Sequence, residues 1–508
     1  MLFNSFEFLL LFLPITLLVY RRISSRRVAI AWLSLASLVF YGYWNPAYLP
    51  LLVGSVLVNF ALGRGIAGAV SHRQLITALG VTLNLGLLGY FKYANFFVSE
   101  IASLTQAAWS IDTIFLPLAI SFFTFQQIAY LVDTYHGRVT SHDLLEYAAF
   151  VTVFPQLIAG PIVQQRDILP QFKKLESLRK LPDNLSAGFT IFVLGLFKKV
   201  AIADELARFV SPAFDSAAAG VQLTFMEAWT GALAYTGQLY FDFSGYSDMA
   251  VGLGLMFGLT LPVNFASPYK ARSIIEFWRS WHITLSSFLR DYLYVPLGGN
   301  RLGSFKRYRN LLLTMILGGL WHGAGWTFVV WGTLHGVYLT VNHLWRAAPF
   351  HQRIAGLRGY GAASWILTIL CVIVGWVFFR AESFGTASLL LEGMAGMNGI
   401  SLPAALESLA QPVFGAAARF DGFFPHLPIA WVGAFGLIAA AGLLAAVAPN
   451  VFEVFNQRLA ADFNRRVPVR STRLTWQPTP AWSIFTGILL AWCLLSLSQP
   501  SEFLYFQF

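Results

Sequence analysis

Apolar runs of bilayer length recur along the chain from Leu2 to Leu497, separated by short polar stretches. A helix needs about 20 predominantly apolar residues to cross the hydrocarbon core. Runs near 2–20, 28–44, 47–63, 74–91, 113–133 and 144–160 approach that length, as do 185–203, 226–241, 246–260, 309–322, 325–345, 362–379, 428–448 and 481–498. Several are short or interrupted by Gly and Pro. Irregular backbone survives at membrane depth only where protein or water shields it, so some of these segments should be re-entrant. The pattern predicts an all-α polytopic membrane protein with about 11–13 transmembrane helices plus re-entrant and interfacial helices. Neither a soluble domain nor a low-complexity linker interrupts it, so residues 1–508 should form a single membrane domain.

Composition strengthens this expectation. The chain has 508 residues, of which 57% are hydrophobic and only 11% charged, against about 25% charged in soluble domains. Charge so sparse does not cover a water-soluble surface. The formal net charge of +10 resides in short loops rather than in a nucleic-acid-binding patch. Arg21, Arg22, Arg26 and Arg27 follow the first run, and Arg458, Arg465, Arg466, Arg470 and Arg473 precede the last. Cations retained on the cytoplasmic side account for both groups. Both termini are then expected outside, with an odd number of crossings. The first run carries its positive charges after the apolar core, so it reads as a retained span and not a cleavable signal. Cys371 and Cys493 read as two buried thiols, and no cysteine pattern suggests a metal site.

Residues 164–183 read as an interfacial segment, and residues 381–427 as a peripheral loop with short amphipathic helices. Segment 271–294 is more informative. At ~100° per residue, Arg272, Glu276, Arg279, Ser286 and Arg290 share one face, while Ile274, Trp278, Trp281, Leu285, Phe288 and Tyr292 share the opposite one. This pattern predicts a helix at the membrane boundary, with His282 at the border between faces, where it can look into a wet cavity.

His322 lies in Gly318-Gly319-Leu320-Trp321-His322-Gly323, inside an apolar run, and His335 in Trp331-Gly332-Thr333-Leu334-His335-Gly336 of the next. Ionisable groups at such depth are costly and face a cavity or a partner, and the glycines admit a close neighbour. Taken alone, each histidine reads more readily as a satisfied interhelical hydrogen-bonder than as a reactive group. The cluster Tyr240 to Asp248, with Asp242 and Asp248, falls between two apolar runs and reads either as pore or reaction-centre carboxylates or as helix caps at a short turn. A serine-hydrolase elbow, a zinc-protease helix and a phosphate-binding glycine loop are all missing. The residues therefore leave two classes open: an intramembrane enzyme with a histidine base, or a transporter whose Asp and His line a path.

An ordered series narrows the choice. Arg279-Ser280-Trp281-His282-Ile283-Thr284-Leu285-Ser286, Arg290-Asp291-Tyr292-Leu293-Tyr294, Leu297-Gly298-Gly299-Asn300-Arg301 and Leu317 to Gly323 together resemble the membrane-bound O-acyltransferase (MBOAT) family. Within it they are similar to the membrane subunits of bacterial alginate-type O-acetyltransferases. The resemblance extends to Gly89-Tyr90-Phe91-Lys92-Tyr93-Ala94-Asn95-Phe96, to Tyr240–Asp248 and to Tyr505-Phe506-Gln507-Phe508. It implies a ring of helices around a thin central zone, with residues 262–345 as the catalytic core segment. His322 matches the family's catalytic histidine, and His282 its second histidine. Trp278, Arg279, Trp281, Arg290, Asp291 and Trp321 become candidate substrate contacts, with Arg279, Arg290 and Lys270 suited to donor phosphates. The resemblance further implies acetyl-CoA as cytoplasmic donor, with no metal, and the bacterial inner membrane as location. Membrane lipid and extracytoplasmic acetyl-accepting or acetyltransferase proteins would be partners, with an exopolysaccharide of alginate or cellulose type as the final acceptor. Gln156 is a departure, because alginate-type relatives often carry His there. It bears on the substrate and not on the family.

Overall fold

The computed structural model describes the whole chain except residues 70, 107–108, 110, 140–142, 176–181, 302, 461–463, 465–466, 468, 471, 498–503 and 505–508. Arg179, Lys180, Arg465, Arg466 and the terminal Tyr505 to Phe508 therefore lie outside the described residues. The described chain is helical almost throughout. A two-residue parallel pairing of Ile400–Ser401 with Ala418–Arg419 is the exception among the described residues.

Among the described residues, four helices are long and apolar enough to cross a membrane: Pro46–Gly68, Arg73–Thr105, Pro182–Ala218 and Tyr360–Arg380. Trp431–Val447 and Pro480–Ser496 are apolar but shorter. The expected all-α polytopic membrane architecture is thus present, and several expected spans rest on shorter or interrupted helices. Run 144–160 gives Leu144–Thr152 and then the single turn Phe154–Leu157, because Pro155 cannot donate to the preceding turn. Run 113–133 becomes helical only at Ile120, after the left-handed Ala119.

Contacts divide the described chain into two compact units. The first comprises 1–197, 246–264 and 451–498; the second comprises 198–245, 265–450 and 499–508. In the first unit, Leu49–Gly68, Arg73–Thr105 and Ile120–Tyr135 pack together around buried carboxamides. Asn59 and Asn84 bond to each other, and the Gln127 Oε1 accepts from Ser55 (3.0 Å) and from Asn59. Such polar pairs hold helices together where no hydrophobic force distinguishes neighbour from lipid. Gln156 is also buried here, its Nε2 donating to the Phe150 carbonyl. Cys371 is half-buried and Cys493 buried; both are free thiols.

Two expectations are corrected. The Tyr240–Asp248 cluster is not a turn between spans, because Phe225–Met256 is one uninterrupted helix through it. The expected break rested on the turn preference of Asp, Ser and Gly. A distant partner overrides that preference: Lys199, 2% exposed, stands 2.6 Å from both Asp242 and Asp204. Likewise, segment 271–294 is not a single boundary helix but two short ones, Ile274–Ser280 and Ile283–Leu289, followed by a wider turn over Arg290–Tyr294.

Candidate active site

All parts of the site belong to the second unit. Its base is an antiparallel hairpin, Ser304–His322 and Trp326–Ala347. The helices approach closely because glycines face each other. A Cβ on Gly319 would collide with the Phe328 carbonyl, and one on Gly332 with the Met315 carbonyl. Small residues at this spacing let helix backbones meet in membranes. Gly323 turns extended and ends the first helix directly after His322. A Cβ on Gly323 would strike the Phe328 ring, so the tight turn depends on glycine there. His322 therefore sits at a helix C-terminus, half-buried, where backbone irregularity opens access to its ring.

The break between Ile274–Ser280 and Ile283–Leu289 falls on Trp281 and His282. His282 adopts the left-handed region at φ 42°. That conformation is uncommon for a residue with a Cβ, and it persists only where the surroundings over-determine it. Here the Ala266 N–H donates to the Ser280 carbonyl at 2.9 Å, the Trp281 N–H to Phe277, and the Ser286 N–H to the His282 carbonyl at 3.0 Å. The Trp281 ring is locked between Phe277 (5.6 Å, stacked), Tyr269 (6.1 Å, stacked) and Trp376 (4.9 Å). Tyr269 is itself pinned, donating to the Thr236 carbonyl at 2.7 Å and accepting from Trp376 Nε1 at 3.2 Å.

This strain aims a wholly buried imidazole into the site. The His282 ring is 4.8 Å from Phe243, 6.4 Å from Trp321 and 6.3 Å from the His322 ring, centroid to centroid. Neither His282 nitrogen has a hydrogen-bond partner among the described residues. A buried polar group left bare costs about 1–3 kcal/mol, and such an orphan is one mark of a group awaiting a ligand. The His322 ring is walled by Trp331 at 5.2 Å and Phe379 at 5.1 Å. The two imidazoles thus stand side by side among Phe243, Trp321, Trp331 and Phe379. One can move a proton and the other can donate to a developing oxyanion.

His335 is held apart from this pair. Its Nδ1 accepts from Trp278 Nε1 at 3.2 Å, and its Nε2 lies against Gly375. Trp278 is therefore committed to His335. Trp281 packs against Tyr269, Phe277 and Trp376, and Trp321 lies beside both imidazoles, 6.4 Å from His282 and 5.0 Å from His322. Arg279 and Arg290 are exposed, and Arg290 makes two bonds to its neighbour Asp291, at 2.7 and 3.1 Å. Lys270 donates to the Ala448 carbonyl at 2.6 Å, capping the Trp431–Val447 helix. Among the described residues, no cluster of His, Cys, Asp or Glu is arranged to hold a metal ion. Phe379, Trp331 and Phe243 are site walls that the sequence does not single out, since an aromatic residue in an apolar run looks like any other. The four-residue step from Trp331 to His335 was the available signal for one of them.

Comparison with known proteins agrees with this architecture. The profile of the membrane-bound O-acyltransferase family matches residues 66–385. The chain is 44% identical over 435 residues to the peptidoglycan O-acetyltransferase of Helicobacter pylori, covering 79% of this chain and 81% of that protein. It is 45% identical over 406 residues to the probable alginate O-acetylase AlgI of Pseudomonas aeruginosa, covering 78% and 75%. A more distant similarity, 27% over 284 residues, links it to the teichoic acid D-alanyltransferase of Bacillus subtilis, covering 53% and 69%. Fold and comparisons together define an O-acyltransferase embedded in a membrane. The chain belongs to the MBOAT family.

Proposed function

We propose that the chain is an O-acetyltransferase of the bacterial inner membrane, drawing acetyl groups from acetyl-CoA on the cytoplasmic side for O-acetylation of an exported polysaccharide. An alginate- or cellulose-type exopolysaccharide is the favoured acceptor class. Extracytoplasmic proteins that accept or finish the transfer are expected partners. The transfer of acetyl groups and the exported-polymer setting are supported by the printed activities of the relatives. The observation that carries the chemistry is the facing pair His282 and His322, one fully buried and bare, the other half-buried at a helix end.

In this reading His322 takes the proton of the acceptor hydroxyl as its oxygen attacks the thioester carbon. An apolar setting favours a neutral imidazole, which a base requires. His282 donates a hydrogen bond to the oxyanion that forms. That attack makes the new C–O bond, and collapse of the tetrahedral intermediate restores the carbonyl and breaks the C–S bond. The thiolate leaves and recovers the proton from His322. Proton and charge balance without a further reactant, and no covalent acyl-enzyme is needed. General-base assistance of this kind is worth about 10²–10⁴-fold, and an oxyanion donor about 10²–10³-fold.

The test is polymer acetyl content in cells carrying His322→Ala, measured beside immunoblots of the membrane fraction. Acetylation should be lost at unchanged protein abundance. Near-normal acetylation would remove His322 from the chemistry.

A further inference from the structure

His335 stands apart from the reacting pair, yet it touches the surroundings of both. Its Nδ1 accepts from the Trp278 indole N–H at 3.2 Å. An indole nitrogen only donates, so Nδ1 carries no proton and the neutral ring holds its proton on Nε2. That second N–H is buried and has no acceptor among the described residues. Gly375 makes room for it, since a Cβ there would stand 2.8 Å from Nε2. A buried donor left bare is costly, so packing alone is a poor reason for a histidine at this position. A phenylalanine ring would fill the same space without the bare group. What phenylalanine does not offer is an acceptor for Trp278.

The bond joins the two elements that carry the halves of the site. Trp278 belongs to Ile274–Ser280, the helix that runs into Trp281 and His282. In the same helix Phe277 stacks on His335 at 6.1 Å and on Trp281 at 5.6 Å. His335 belongs to Trp326–Ala347, one turn after Trp331, with the two rings 5.0 Å apart. Trp331 in turn stands 5.2 Å from the His322 ring. Neither nitrogen of His282 is bonded to His322. The 6.3 Å between the two rings is therefore set by the elements that bear them. Trp376 completes the cluster from a third helix, 4.9 Å from Trp281, 5.9 Å from Trp331 and 6.1 Å from His335. Arg346 also links the first two helices, through Ser273 and Glu276, but at an exposed end. The Trp278–His335 bond has its acceptor wholly buried, beside a ring that touches His322.

We propose that His335 is a positioning residue for acyl transfer: the bond it accepts from Trp278 holds the Trp281–His282 break at its working distance from the hairpin that carries His322. The ring packs with Phe277 and Trp331 while Nδ1 ties down the indole, and histidine combines both tasks in one side chain. Rate is sensitive to such spacing, since about 1 Å of misplacement costs about 10²-fold. The inference rests on the two-histidine reading above.

The experiment is a double-mutant cycle on acetyl transfer from acetyl-CoA to a polysaccharide acceptor by purified protein in nanodiscs, with kcat and KM separated. His335→Phe keeps a ring and removes the acceptor, and Trp278→Phe keeps a ring and removes the donor. Each should lower kcat by about 10–10²-fold with KM nearly unchanged, the mark of an effect confined to the transition state. The double variant should be no slower than the slower single one, because both substitutions break the same bond. His335→Gln, whose amide oxygen can accept from Trp278, should recover part of the loss in kcat, which a general packing defect would not allow. Single effects that multiply in the double variant, or a kcat near wild type in either single one, would overturn the positioning role. So would a rise in KM at preserved kcat, which would return Trp278 to substrate binding, or an equal loss in His335→Gln and His335→Phe. A wild type without turnover, or undiminished turnover in His322→Ala, would instead sink the two-histidine reading on which the proposal stands.

Discussion

The second unit buries two sets of ionisable side chains, and they are treated in opposite ways. Lys199 is 2% exposed yet has carboxylates at 2.6 Å on both sides, from Asp204 and Asp242. His282 is equally buried, but both ring nitrogens are bare and its backbone is held at φ 42°. A buried ion that is paired needs no other explanation than the architecture it fastens. A strained and unpartnered imidazole has no such return, so its explanation lies in what it meets during the reaction. The two sets are also neighbours in sequence: Asp242 secures the helix turn from which Phe243 reaches the His282 ring. On the proposed reading, the ion cluster is structural support for the site and the histidines supply its chemistry.

That contrast can be broken by substitution. His282→Ala should lower the rate of acyl transfer by about 10²–10³-fold while changing the thermal midpoint in detergent little, since relief of the bare buried nitrogens is offset by lost ring packing and alanine keeps the Cβ that strains the left-handed backbone. A midpoint that falls while the rate stays near wild type would reverse the assignment. Lys199→Met should do the opposite. Leaving two buried carboxylates unpaired costs about 3–5 kcal/mol, read as reduced membrane abundance and an early thermal transition. The triple replacement Lys199→Met, Asp204→Asn, Asp242→Asn should recover most of that loss, because no bare charge remains. If Lys199→Met instead kills turnover in fully stable protein, the cluster takes part in the reaction. The smallest effect is expected at Arg290, an exposed side chain bonded to adjacent Asp291. Arg290→Gln should change stability by less than about 1 kcal/mol and donor KM by less than about threefold. A large rise in KM would restore Arg290 as a donor ligand.

Much of this protein is legible in its sequence, and the failures share a cause. Apolar runs announce the polytopic helical fold because lipid allows few alternatives. His322 stands out because a histidine among glycines inside such a run is unusual, and the ordered motifs around it point to the family. Periodicity misleads at Trp281–His282. The residues on either side keep helical spacing, but the Trp281 ring and the bond from Ala266 to Ser280 pull the backbone out of it. The opposite error occurs at Tyr240–Asp248, where local turn preference loses to a lysine some forty residues upstream. Both outcomes depend on tertiary partners that no local window contains.

The central claim is that this chain carries out acyl transfer and is not merely a conduit for partner proteins. Acetyl-CoA labelled in its acetyl group, given to purified protein in nanodiscs with a polysaccharide acceptor, tests it directly. The wild type should place label on the acceptor and release free thiol in equal amount. His322→Ala, at the same protein concentration, should lose about 10²–10⁴-fold of both. Equal transfer by the two proteins would contradict the account and assign the chemistry to a co-purifying partner.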